Sequence, residues 1–135
     1  MQQLTIKADI SQLDQVLSFI DGILEESDCP TNTKMQIDVA IEEVFVNIVR
    51  YAYPECEGEA AIEVETTDSP RAVKITFEDE GVPFNPLEHE DPDIMLSADD
   101  RPAGGLGILM VKKSMDDVSY EYNDGKNRLT ITKGF

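Results

Sequence analysis

Three short stretches of the sequence carry side chains whose types and spacing could do chemistry. Glu43 and Asn47 stand four apart in Glu42-Glu43-Val44-Phe45-Val46-Asn47, which on a helix puts them on one face, one turn from each other. The pair reads in two ways. It is either a carboxylate and an amide at the edge of a buried stripe, bonding to each other or to solvent, or a proton-accepting carboxylate beside an amide oxygen that binds Mg2+ in a polar cavity. Arg50, three residues past Asn47, shares that face; it is a solvated surface residue on the first reading and a phosphate contact on the second. Glu42 lies about 100° around the helix from Glu43 and is the weaker base candidate.

The second stretch is Asp79-Glu80-Gly81-Val82-Pro83, at the end of an alternating apolar run. An acid followed by glycine is common in turns. The same residues suit a ligand: Asp79 can accept a hydrogen bond from an exocyclic amine, as adenine selection requires, and Gly81 lets the ligand approach the backbone. The third is Gly104-Gly105-Leu106-Gly107, just ahead of a helical pattern. Glycines there free backbone N–H groups to face an anion, and the helix start adds partial positive charge. Neither a GxGxxG in a βαβ unit nor a Walker A motif is present, which argues against Rossmann and P-loop sites.

The elements that must position these residues follow from periodicity. Leu4 to Ala8 alternates as a short strand, and Leu13, Val16, Leu17, Ile20, Ile23 and Leu24 recur at helical spacing behind a Ser11/Asp14 capping pattern. A second, longest helix runs from Pro30-Thr31 to about Ala52, where Pro54 stops it. Ala61 to Thr66 and Ala72 to Phe77 make a hairpin around Asp68-Ser69-Pro70-Arg71, and Val118 to Tyr122 and Leu129 to Thr132 make another around Asn123-Asp124-Gly125-Lys126. Ile108 to Met115 reads as a helix, and Asn127 to Thr130 receives no functional role. Between Asp79 and Ala103 periodicity gives way to Pro, Gly and acids, which predicts a binding loop or lid. Strands in consecutive pairs favour an α+β fold: a two-layer sandwich with a mixed, mostly antiparallel sheet and helices on one face.

The 135 residues suit a single domain over 1–135. With 28 Asp+Glu against 11 Lys+Arg, the net charge is −17, which repels nucleic-acid phosphates and anionic membrane surfaces alike. No nucleic acid and no membrane are therefore expected as partners, and without a visible signal segment the expected location is cytoplasmic. Cys29 and Cys56 match no metal or redox spacing and read as reduced thiols. His89, the single histidine, sits in the irregular stretch and makes a Ser-His-Asp triad a poor reading. The acids from Glu88 to Asp100 lack EF-hand spacing and read as a solvated loop.

The order of the three stretches, with the irregular segment between the last two, resembles the GHKL ATPase superfamily with its Bergerat fold. Within it the chain is most similar to the small bacterial anti-sigma-factor serine kinases. Glu43-x-x-x-Asn47 resembles the N box, Asp79-Glu80-Gly81 the first glycine box and Gly104-Gly105-Leu106-Gly107-Ile108 the second, with an ATP lid at about 82–103. Val82-Pro83 stands where the superfamily usually has a further glycine, and Pro83 to Leu87 resembles a variant found among anti-sigma regulators. The resemblance implies ATP and Mg2+ as cofactors: Asn47 on the metal, Asp79 on the adenine amino group, Arg50 and the second glycine box on the phosphates. Glu43 is implied as the general base, since a hydroxyl nucleophile, unlike a histidine, needs its proton removed. The implied function is a serine kinase that phosphorylates an anti-sigma antagonist protein and sequesters a sigma factor; small domains of this family commonly pair, which implies a homodimer. The alternative is a non-catalytic, ATP-gated protein-binding module of the same fold.

Overall fold

A computed structural model describes residues 2–53, 57–68, 70–88 and 105–135. Strand β1 (Gln2–Lys7) leads through a 3-10 turn, Ile10–Gln12, into α1 (Leu13–Glu26) and then α2 (Thr31–Tyr51). The hairpin β2 (Glu59–Asp68) and β3 (Arg71–Asp79) follows, then a second 3-10 turn at Pro86–Glu88. Helix α3 (Gly105–Ser114) precedes the closing hairpin of β4 (Asp117–Asn123) and β5 (Lys126–Gly134). The strands form one sheet in the order β1-β2-β3-β5-β4, antiparallel at every described pairing. The expected α+β sandwich is present, and its sheet is antiparallel at each of the described pairings rather than mixed.

Alternation along the strands builds the two faces. In register, Ile62 lies opposite Phe77 and Phe77 opposite Leu129, while Val64, Ile75 and Ile131 form the next row. These side chains and Val16, Ile20, Leu24, Ile37, Ile41 and Phe45 of the helices belong to one buried core. Phe45 and Phe77 are the largest fully buried side chains, each contributing about 2–3 kcal/mol of burial. The opposite face is polar: the Thr76 and Thr130 hydroxyls meet at 3.2 Å, and Arg128 pairs with Glu78 at 2.9 Å and, more loosely, with Glu63 and Glu121.

Two local expectations need correction. Asp9, not Ser11, caps the first helical segment: its Oδ1 accepts the Ser11 N–H at 3.0 Å, and the α-helix proper begins at Leu13. A side chain caps donors two or three residues ahead, so the 3-10 turn at Ile10–Gln12 moves the cap back. The third helix begins at Gly105 rather than Ile108, which turns Gly105, Leu106 and Gly107 from a preceding loop into its first turn. Helix α2 matches its expected span, ending where Ala52 caps it. Among the described residues, no helix is long and apolar enough to cross a membrane. Cys29 is a free thiol whose pKa burial pushes up; Cys56 and His89 lie outside the described residues.

Candidate functional site

Helix α2 is the site's backbone. Its apolar stripe, Ile37, Ile41, Val44, Phe45 and Ile48, faces the core, and that orientation carries Asn47 into the same interior at 8% exposure. The Asn47 Nδ2 donates to the Glu43 carbonyl at 2.8 Å. The expected side-chain pair is therefore replaced by a side chain to backbone bond one turn back. The Glu43 carboxylate is half-buried and makes no hydrogen bond or ion pair among the described residues. Arg50 is exposed in the last turn of α2.

Asp79 ends β3 at 6% exposure. Its Oδ1 accepts the Gly81 N–H and Asn127 Nδ2, each at 2.9 Å. Burial raises its pKa, the two hydrogen bonds pull it back, and the Glu78 charge adds to the rise. Gly81 has a packing reason to be glycine: a Cβ there would land on the Ala52 carbonyl, which accepts the Val82 N–H at 2.8 Å. The chain after β3 is thereby stitched to the end of α2. Tyr53 adds a second stitch, donating to the Glu59 carbonyl at 2.7 Å and accepting the Glu80 N–H at 2.9 Å.

These elements enclose one cavity, with Asn47, Asp79, Asn127, Phe84, Tyr120 and Ile108 in its wall. Its volume of about 30 Å3 is room for one or two waters. Phe84 contributes to the wall while stacked on Tyr51, with ring centres 4.8 Å apart. Ile108 follows Gly105, Leu106 and Gly107, so the first turn of α3, where helical N–H groups lack an intrahelical acceptor, adjoins the same space. Thus Asn47 and Asp79 meet at one cavity beside the start of α3. Glu43 and Arg50 share α2 with Asn47 but are not part of the wall. Gly104 and residues 89–103 of the expected lid at about 82–103 lie outside the described residues.

Sequence reasoning missed Asn127, Tyr120, Phe84 and Tyr53. Asn127 follows a tight turn in which Asp124 and Gly125 both have positive φ, and it pairs in register with Asp79. The signal in the sequence was the Asn-Asp-Gly-Lys turn, which fixes the hairpin; the β3–β5 pairing that brings Asn127 to Asp79 is not local.

Amide oxygen and carboxylates are hard donors of the kind Mg2+ takes. With its nitrogen committed to the Glu43 carbonyl, Asn47 keeps its oxygen for such a role, so the residues present fit the ion. Asp79 suits a hydrogen-bond donor on a ligand, and the α3 start suits an anion.

A model of the histidine kinase-like ATPase domain matches residues 6–133. The chain is 29% identical over 99 residues to the serine/threonine-protein kinase BtrW of Bordetella bronchiseptica, across 73% of this chain and 69% of that protein. It is 33% identical over 91 residues to the serine-protein kinase RsbW of Bacillus thuringiensis, across 64% of this chain and 56% of that protein. It therefore spans little more than half the length of that second relative. A solved structure of the RsbU and RsbW domains of Rv1364c from Mycobacterium tuberculosis superposes with a TM-score of 0.63 at 17% identity, covering 98% of this chain and 32% of that one; this is a likeness of fold.

Proposed function

The chain belongs to the histidine kinase-like ATPase family, and from that premise we propose that it is an ATP- and Mg2+-dependent protein-serine kinase. Its substrate is an anti-sigma antagonist protein, and in another state it sequesters a sigma factor. The observation that carries the reading is the convergence of Asn47 and Asp79 on one cavity next to the first turn of α3. The similarity to proteins named serine kinases supports it.

In this reading Asp79 accepts from the adenine amino group, with Gly81 beside it; a purine exceeds the cavity of about 30 Å3, so its wall must give way to admit the base. The phosphates lie toward Gly104, Gly105, Leu106 and Gly107, whose N–H groups suit an anion, and Arg50 contacts them from α2. Asn47 would hold Mg2+, which would supply charge neutralisation for the nucleotide phosphates. Glu43 takes the proton from a serine hydroxyl as its oxygen bonds to the γ-phosphorus and the bond to the bridging oxygen breaks, releasing ADP. A phosphorylated partner then carries added negative charge toward a chain of net charge −17, which favours release. The location is cytoplasmic and the assembly a homodimer.

The test is incubation with labelled ATP, Mg2+ and candidate antagonist proteins encoded nearby, followed by phosphoserine analysis. Glu43→Gln should keep ATP binding and reduce transfer by about 10²–10⁴-fold. Because Glu43 stands outside the cavity wall, a second reading has its own support: a non-catalytic module in which ATP orders the lid. Under that reading wild-type protein binds ATP without transfer, and Glu43→Gln leaves partner binding intact.

A further inference from the structure

Asn127 sits at 6% exposure on β5, opposite Asp79. Its Nδ2 donates to Asp79 Oδ1 and to the Val82 carbonyl, each at 2.9 Å, with the Gly81 carbonyl farther off at 3.5 Å. Its Oδ1 accepts the Phe84 N–H at 3.1 Å and the Tyr120 hydroxyl. A primary amide has two N–H donors and an oxygen with two lone pairs, so this side chain is saturated by the protein. It has nothing left with which to bind a ligand, and its role must be exerted through the groups that it holds.

What it holds is informative. Both hydrogen bonds to Asp79, from Asn127 and from the Gly81 N–H, fall on Oδ1, which leaves Oδ2 without a hydrogen-bond donor among the described residues, and Asp79 itself is part of the cavity wall. The other two backbone contacts of Asn127, Val82 and Phe84, belong to the segment that leaves β3 toward the lid region, and the Phe84 ring forms part of the cavity wall. We propose that Asn127 is the positioning residue of base recognition: it holds Asp79 as an acceptor toward the cavity and, through the same amide, anchors Val82 to Phe84, so that the site selects a 6-amino purine over a 6-oxo purine.

This inference rests on the nucleotide reading above and deepens it. An ionised carboxylate accepts from an amino N–H and repels a carbonyl oxygen, whereas a protonated one can donate to that carbonyl. Burial and the Glu78 charge press Asp79 toward its protonated form, and the donors on Oδ1 oppose them. Removing the Asn127 donor therefore takes away one of the two groups that fix Asp79 Oδ1, pushes the Asp79 pKa further up and erodes the preference for adenine.

The experiment compares dissociation constants of ADP and GDP, with Mg2+, by titration calorimetry on the full chain. Wild-type protein should bind ADP much more tightly than GDP. Asn127→Asp keeps the shape and the acceptor for Phe84 but replaces both donors with lone pairs; it should narrow the ratio of GDP to ADP dissociation constants by roughly ten- to a hundredfold, the range for hydrogen bonds to a charged group. Asn127→Ala, which removes the donors without adding charge, should narrow it in the same direction and speed amide hydrogen exchange at Phe84. A merely structural role would weaken ADP and GDP equally and leave their ratio at the wild-type value; that result in either folded variant overturns the inference and leaves the nucleotide reading standing. Wild-type protein that binds neither nucleotide overturns both.

Discussion

Asp21 on α1 and Asp38 on α2 each bury an Oδ1 that finds no hydrogen-bond donor among the described residues. Two ionised carboxylates have only lone pairs to offer each other, and the contact becomes a hydrogen bond when one of them carries a proton. Burial, then the hydrogen bond and the charge of Asp21, push the Asp38 pKa from 3.8 up to about 7, against a smaller opposing pull from Lys34. The Lys34 ammonium is itself 3.2 Å from Glu25, so it is not dedicated to neutralising the pair. Because the folded pKa lies above the unfolded one, the native state binds the extra proton between about pH 4 and pH 7. Its stabilisation is complete below that window and disappears as pH rises through about 7. Taken whole, the shift at about 1.4 kcal/mol per pH unit gives a ceiling near 4 kcal/mol; Asp38 is only half-buried, and solvent screening reduces this to about 1–2 kcal/mol. For a chain of this length that is a change of roughly 4–8 °C in Tm. Melting curves of wild type and Asp38→Asn at about pH 5 and pH 9 separate this effect from the general repulsion among the carboxylates, which both proteins share. The amide can donate to Asp21 at any pH, so the variant should lose less stability across the window and match or exceed wild type at pH 9. Superimposable pH dependences for the two proteins would refute the shared proton.

Phe77→Ala empties a fully buried site on β3 and should cost about 3–5 kcal/mol in urea unfolding, with the urea midpoint as the readout. Gly81→Ala drives a methyl into the Ala52 carbonyl; an overpacked core typically loses about 1–3 kcal/mol, and exchange of the Val82 amide, bonded to that carbonyl, should accelerate more than exchange elsewhere in the sheet. Asn47→Ala should raise the Mg2+ concentration needed for nucleotide binding by at least about tenfold, the loss common for even an outer-shell partner of a metal, as read by titration at several Mg2+ levels.

The parts of the fold legible in the sequence are those set by short-range pattern. Helix α2 could be bounded because its apolar residues recur at helical spacing and Pro54 follows. Both hairpins were legible from alternation and turn residues, although the structure extends β2 to Glu59–Asp68 and β3 to Arg71–Asp79, because backbone pairing continues past the last apolar side chain. The cap at Asp9 was misplaced by two residues because a 3-10 turn and an α-helix have the same opening pattern of polar residues.

The site was legible only where its residues act through their own neighbourhood in the chain. Asn47 could be singled out because it stands four residues after Glu43 on one helix face, and Asp79 because it ends an alternating apolar run; both prove to be buried at one cavity. Gly81 carried two demands at once, and the one visible in the structure is contact with Ala52, an element it meets only after folding. Asn127 is 48 residues from Asp79, and its identity is meaningless until β5 is placed beside β3 rather than at the sheet edge. Once that neighbour is known, burial dictates the rest. A buried carboxylate facing a cavity needs donors behind it, and the paired position on the adjacent strand is where a short amide can supply one while its oxygen receives the backbone of the departing chain. The same antiparallel register that completes the core therefore decides which residue stands behind Asp79, and a one-residue slip of β5 would turn Asn127 to the polar face and bring Arg128 to the cavity.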